Sequence, residues 1–93
     1  MNSDLKQVLL ILQEECAEVI QAVSKINRFG PDQIKTGRSQ TNMEHLMEEL
    51  GDTMAMIELL TNQNVGVTEE GLALAKQAKF EKLKLWSTLT ITK

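Results

Sequence analysis

An all-α fold of three main helices, forming a bundle completed by oligomerisation, is what this sequence predicts. Three observations lead there. Apolar residues recur in alternating steps of four and three, at Leu5, Leu9, Leu12, Cys16, Val19, Val23 and Ile26, which is helical periodicity. Each periodic segment is bracketed by capping or breaking residues. Aromatic residues are only 3% of the chain, so the filler between elements must be Leu, Ile, Val and Met packed between side-by-side helices. A chain of 93 residues also buries a modest share of its surface alone, which favours completion of the bundle by a second copy.

The first helix is expected to start at Asp4, whose carboxylate can cap it, and to end at Phe29-Gly30-Pro31. There glycine accepts the left-handed turn and proline cannot continue the helix. The polar stretch from Asp32 to Gln40 reads as a loop. Thr41-Asn42-Met43-Glu44 fits a capping box, in which hydroxyl and carboxylate satisfy free amides at a helix start. The second helix follows Met43, Leu46, Leu50, Thr53, Ile57 and Leu60 and stops near Asn62-Gln63-Asn64-Val65-Gly66-Val67. Thr68 caps the third, with Glu69 and Glu70 favoured by the macrodipole in its first turn, and it should reach Leu85 or Trp86. The expected organisation is one helical domain over 1–87 and a short tail over 88–93, loose or docked on a neighbour.

Charge and cysteine usage exclude several function classes. Ten Lys and Arg against thirteen Asp and Glu give a net charge of −3, and no basic cluster dominates, so nucleic-acid binding is disfavoured. A small helix-turn-helix protein is disfavoured too, because the connection before the third helix lacks a short glycine turn of the expected kind. Cys16 is the single cysteine, which suits a reducing cytoplasm and excludes an internal disulfide. The apolar run Val8–Leu12 is too short for a membrane span and wrong for a signal peptide, so the chain reads as soluble and unprocessed.

The chemistry lies in carboxylates placed on apolar faces. Advancing about 100° per residue, Glu15 falls inside the core stripe of the first helix between Val8 and Ala22, with Glu18 about 60° further round, while Glu14 points outside. On the second helix Glu49 falls between Met56 and Leu60, and Asp52 between Leu59 and His45, with Glu48 further out. Burying an ionised carboxylate costs several kcal/mol or more unless a cation or donors compensate it. Glu15/Glu18 and Glu49/Asp52 are each an i,i+3 oxygen clamp, and two facing clamps suit Mg²⁺ or Mn²⁺. The competing reading is structural: solvated acidic pairs, or salt bridges in a non-catalytic interaction module, with Lys79 neutralising one glutamate.

Lesser candidates carry two readings each. Lys25, seven residues beyond Glu18, suits a phosphate contact or a solvated surface, whereas Arg28 reads as exposed. His45, one turn before Glu49, either orients a carboxylate or lies plainly on the surface. Trp86 and Phe80 stack a base or pack a core. Cys16 reads as core filler, and Gly51 in mid-helix reads as a close helix approach. The methionines at Met47, Met54 and Met56 read as core or dimer seam.

With "EECAE" at 14–18, "EELGD" at 48–52 and "AKQAKFEKLKLW" at 75–86, the chain resembles the MazG-like group of the all-α nucleoside triphosphate pyrophosphatase superfamily, over nearly its whole length. The resemblance implies a metal-dependent hydrolase that cuts the α–β phosphate bond of a nucleoside triphosphate, releasing a monophosphate and pyrophosphate. Carried over by position, Glu15, Glu18, Glu49 and Asp52 would be Mg²⁺ ligands, and Lys79 and Lys82 phosphate-facing lysines. Leu83 follows the second lysine where relatives often have a polar residue. The residue types suit that chemistry, because phosphoanhydride cleavage needs charge neutralisation and an aligned water whose proton Glu15 or Glu18 can accept. A nucleoside triphosphate substrate, a homodimer or homotetramer, and no nucleic-acid or membrane partner complete the expectation.

Overall fold

The computed structural model describes residues 1–93 and contains three helices: α1 (Ser3–Phe29), α2 (Asn42–Thr61) and α3 (Glu69–Trp86). The α1 start differs from expectation. Asn2, not Asp4, is the N-cap, and its side-chain oxygen accepts from the Leu5 amide at 2.7 Å. Asp4 lies in the first turn, where its charge meets the positive end of the helix dipole. At the other end Gly30 takes φ 92°, a conformation that costs a side-chain-bearing residue strain, and its N–H closes on the Ile26 carbonyl at 2.8 Å.

The connection to α2 is an ordered loop. The Ile34–Thr41 antiparallel bridge pinches it, and Asn42 N–H donates to the Gln33 carbonyl at 2.9 Å. Met43 N–H donates to the Pro31 carbonyl at 3.0 Å. The capping box is present: Glu44 N–H donates to Thr41 Oγ1 at 3.1 Å, and Thr41 N–H to Glu44 Oε1 at 3.0 Å. Those hydrogen bonds hold the Glu44 carboxyl below its ordinary range.

The chain forms two compact units, Met1–Gln63 and Asn64–Lys93. In the first, α1 and α2 pack antiparallel: one cavity is walled by Asp4, Val8 and Ile11 together with Met56, Leu59 and Gln63, so the α1 start lies beside the α2 end. The most buried residues of α1 are Val8 and Ala22, seven positions before and after Glu15, so Glu15 sits on the helix's most enclosed line. Cys16 is exposed, and so is not the core filler the periodicity suggested. The second unit holds α3, begun by Thr68, whose Oγ1 accepts from Gly71 N–H at 3.0 Å. Glu81 pairs with Lys84 at 3.0 Å and accepts from Gln77 at 3.1 Å on an exposed face. Residues 87–93 have no regular secondary structure.

Gly51 is exposed, and a Cβ built on it would meet nothing within 4 Å. The expected close helix approach is therefore absent from this chain. Gly51→Ala should stabilise the fold by about 0.5–1 kcal/mol, by restricting the unfolded chain at a helical position. A urea titration showing an unchanged or lower midpoint would contradict this.

Candidate metal centre

Packing α1 against α2 brings Glu15, Glu49 and Asp52 together, with one carboxylate oxygen from each lying within 4.8 Å of the others. Glu49 is buried at 8% exposure, Glu15 is half-buried and Asp52 is exposed, so the cluster grades from interior to solvent. Such a gradient gives a bound ion protein oxygens on one side and leaves water or a ligand the other. Glu18 lies outside this group on the exposed side of α1, although its charge is felt at Glu15. Glu14 and Glu48 are exposed as their helix angles required, and Gln40 donates to Glu48 at 3.2 Å.

His45 is the residue the sequence undervalued. Its Nε2 lies 3.1 Å from Glu49 Oε1, and both side chains are nearly enclosed, at 12% and 11% exposure. The surface reading of His45 is thus replaced by an orienting one: a turn of α2 fixes the Glu49 carboxylate from behind. The i,i+4 spacing carried that signal. His45→Ala should weaken divalent metal binding by roughly 10- to 100-fold, as loss of a ligand's supporting hydrogen bond usually does. Calorimetric titration with Mn²⁺ checks it, and unchanged affinity would make the histidine a packing residue.

The clustered carboxylates repel one another. Glu15 holds its proton above its ordinary value of 4.5, first because partial burial disfavours its charge and then because Asp52, Glu49, Glu18 and Glu14 repel it. Between 4.5 and that raised value the folded chain binds more protons than the unfolded one. The metal-free fold therefore keeps Glu15's contribution below the ordinary value and loses it as pH rises through the raised one. Glu44, shifted down, acts in the opposite sense, but its contribution is complete above its ordinary value and lost only as pH falls through the lowered one. Melting curves of chelated protein in the window just above 4.5 should show stability falling with rising pH. Glu15→Gln or saturating Mg²⁺ should remove that dependence, and a slope surviving both would place its origin elsewhere.

The family model of the MazG nucleotide pyrophosphohydrolase domain matches residues 3–84. The chain belongs to the MazG family. The match takes in all of α1 and α2 and nearly all of α3, so the acidic cluster of this MazG domain falls wholly within it. No curated protein and no solved structure matches the chain. The family is one of nucleotide pyrophosphohydrolases, and the three converging carboxylates are a donor set that fits a hard divalent ion. No helix is long and apolar enough to cross a membrane.

The remaining sequence candidates fall in different places. Lys25 is half-buried and lines a cavity beside the α1–α2 loop together with Arg28, a residue that sequence reasoning set aside as exposed. Lys79, Lys82 and Trp86 lie on α3 in the second unit, all exposed, with Trp86 at 85%. Phe80 is half-buried there, as a packing residue would be.

Proposed function

We propose that this MazG domain is a Mg²⁺-dependent nucleoside triphosphate pyrophosphohydrolase that cleaves the α–β bond of an NTP or dNTP. The observation that carries the reading is the convergence of Glu15, Glu49 and Asp52 within 4.8 Å, without a lysine or arginine paired to any of them. Three carboxylates left to repel one another are costly unless a cation joins them. Glu15, Glu49 and Asp52 would hold the ion, with Glu18 as a further oxygen donor one turn along α1. When bound, Mg²⁺, or Mn²⁺ in its place, supplies charge neutralisation for the phosphate oxygens and acidifies water.

In the reaction, a water oxygen forms a bond to the α-phosphorus, the bridging bond to the β-phosphate breaks, and pyrophosphate leaves. A carboxylate takes the water's proton. Glu15 or Glu18 serves as that base. His45 keeps Glu49 aimed. Lys79 and Lys82 are assigned to the phosphate chain, and Trp86 to the nucleobase; the lysines rest on the family resemblance, Trp86 on its free indole face.

The same reading includes assembly as a homodimer or homotetramer in the cytoplasm. Supporting it are large apolar side chains left open to solvent on both α1 and α2, Ile20 at 70% and Met47 and Met54 each at 69% exposure. The rival reading, a non-catalytic module whose acidic pairs form salt bridges across a dimer, predicts no metal binding, and calorimetric titration with Mg²⁺ separates the two. A screen of nucleotides for Mg²⁺-dependent pyrophosphate release tests the activity. A purified, folded protein that leaves every common and modified nucleotide intact with Mg²⁺ and Mn²⁺ would overturn it.

A further inference from the structure

We infer that the cavity beside the α1–α2 loop is a further ligand site, specific for the phosphoryl group of a small organic phosphate and lined by none of the acidic-cluster residues. The cavity measures about 400 Å³ and is lined by Lys25, Arg28, Phe29, Gln33, Ile34, Lys35, Thr36 and Asn42. Three of the chain's ten cationic side chains meet there and no carboxylate does, although the chain as a whole is acidic. None of the three is in an ion pair: the salt bridges of the chain are His45–Glu49 and Lys84–Glu81. The guanidinium carbon of Arg28 lies over the Phe29 ring, 5.0 Å from its centroid, a cation–π contact at the cavity wall.

The polar groups are arranged for an acceptor-rich ligand. Asn42, buried at 7% exposure, spends its amide donors on the Gly30 carbonyl and Gln33 Oε1 at 3.1 and 3.3 Å. Gln33 accepts there through its oxygen, so its NH₂ group is still available as a donor, and Thr36 adds a hydroxyl to the lining. Phe29 and Ile34, 53% and 55% exposed, give the same cavity an apolar wall for the body of the ligand. Charge, donors and an apolar wall in one concavity are the ingredients of an organic phosphate site.

Distance separates this cavity from the carboxylates. At about 1.5 Å of helix rise per residue, Lys25 lies roughly 15 Å along α1 from Glu15 and roughly 10 Å from Glu18. Both exceed the screening length of about 8 Å at physiological ionic strength, so neither group of charges cancels the other. The ligand is either a second molecule or a distant phosphoryl group of a substrate held at the cluster.

The probes are inorganic pyrophosphate and AMP, added to the full chain after removal of divalent metal, with amide chemical shifts followed at Lys25, Gln33 and Asn42. Saturable shifts at those residues are expected, with affinity falling about tenfold for each of Arg28→Ala and Lys35→Ala, as loss of a charge-assisted contact does. Lys35→Arg should retain binding. Glu49→Gln should leave it unchanged, so the outcome does not depend on the catalytic reading. Adding a non-hydrolysable nucleoside triphosphate with Mg²⁺ then separates the sources. Displacement of pyrophosphate only when Mg²⁺ is present identifies a substrate reaching both sites, and simultaneous occupancy identifies a second molecule. No saturation in the millimolar range, or binding indifferent to both alanine variants, overturns the inference.

Discussion

Glu49→Gln should leave a folded protein that has lost pyrophosphate release, with kcat/KM reduced at least about a hundredfold, the equivalent of about 2.7 kcal/mol of charge stabilisation. The substitution preserves shape and still offers His45 an oxygen, but it removes a negative charge from the most buried of the three clustered carboxylates. Without metal the variant should melt no lower than the native chain, because repulsion from Glu15 and Asp52 is relieved. Native protein should gain thermal stability on adding Mg²⁺ and the variant should not, by mass action on the folded state. A large loss of metal-free stability combined with an intact Mg²⁺ response would mean that Glu49 is a structural group.

Asn42→Ala should cost about 2 kcal/mol of stability, read from urea denaturation, and lower the melting temperature by roughly 10 °C. The side chain is buried, and its amide bridges the end of α1, through the Gly30 carbonyl, to the loop, through Gln33. Truncation leaves a carbonyl without that partner and opens space under the loop. Asn42→Asp should be at least as damaging, since a carboxylate would face two oxygens where the amide donates to both. A cost under about 0.5 kcal/mol, the scale of ordinary surface substitutions, would show that the loop is held without this residue.

Most of the helical frame was legible from local chemistry. The Thr41 capping box, the Thr68 cap and the Gly30 stop were all readable because each depends on residues within four positions. Asn2 was overlooked in favour of Asp4 because both residue types cap helices and the choice turns on two residues of register. Periodicity placed Glu15, Glu49 and Asp52 on the apolar faces of their helices, and packing brings those faces together. Glu18, about 60° off that line, falls outside the trio, a distinction that helical angle alone indicates only coarsely. Cys16 and Gly51 were misjudged for a common reason: a stripe drawn on one helix does not say how much of it a single partner helix covers. The loop cavity was invisible in advance. Lys25 and Arg28, one turn apart on α1, are joined by Lys35 and Asn42 only in the folded loop, which the Ile34–Thr41 bridge closes.

The double tether of Asn42 also bears on how this chain can diverge. The floor of the loop cavity is an interior residue at the first turn of α2, locked by hydrogen bonds to Gly30 and Gln33, whereas Lys35 and Thr36 on its rim are exposed. Substitutions at the rim can therefore retune which molecule is accepted at little thermodynamic cost, while the base of the bowl stays fixed. Specificity here is free to drift over an unchanging foundation.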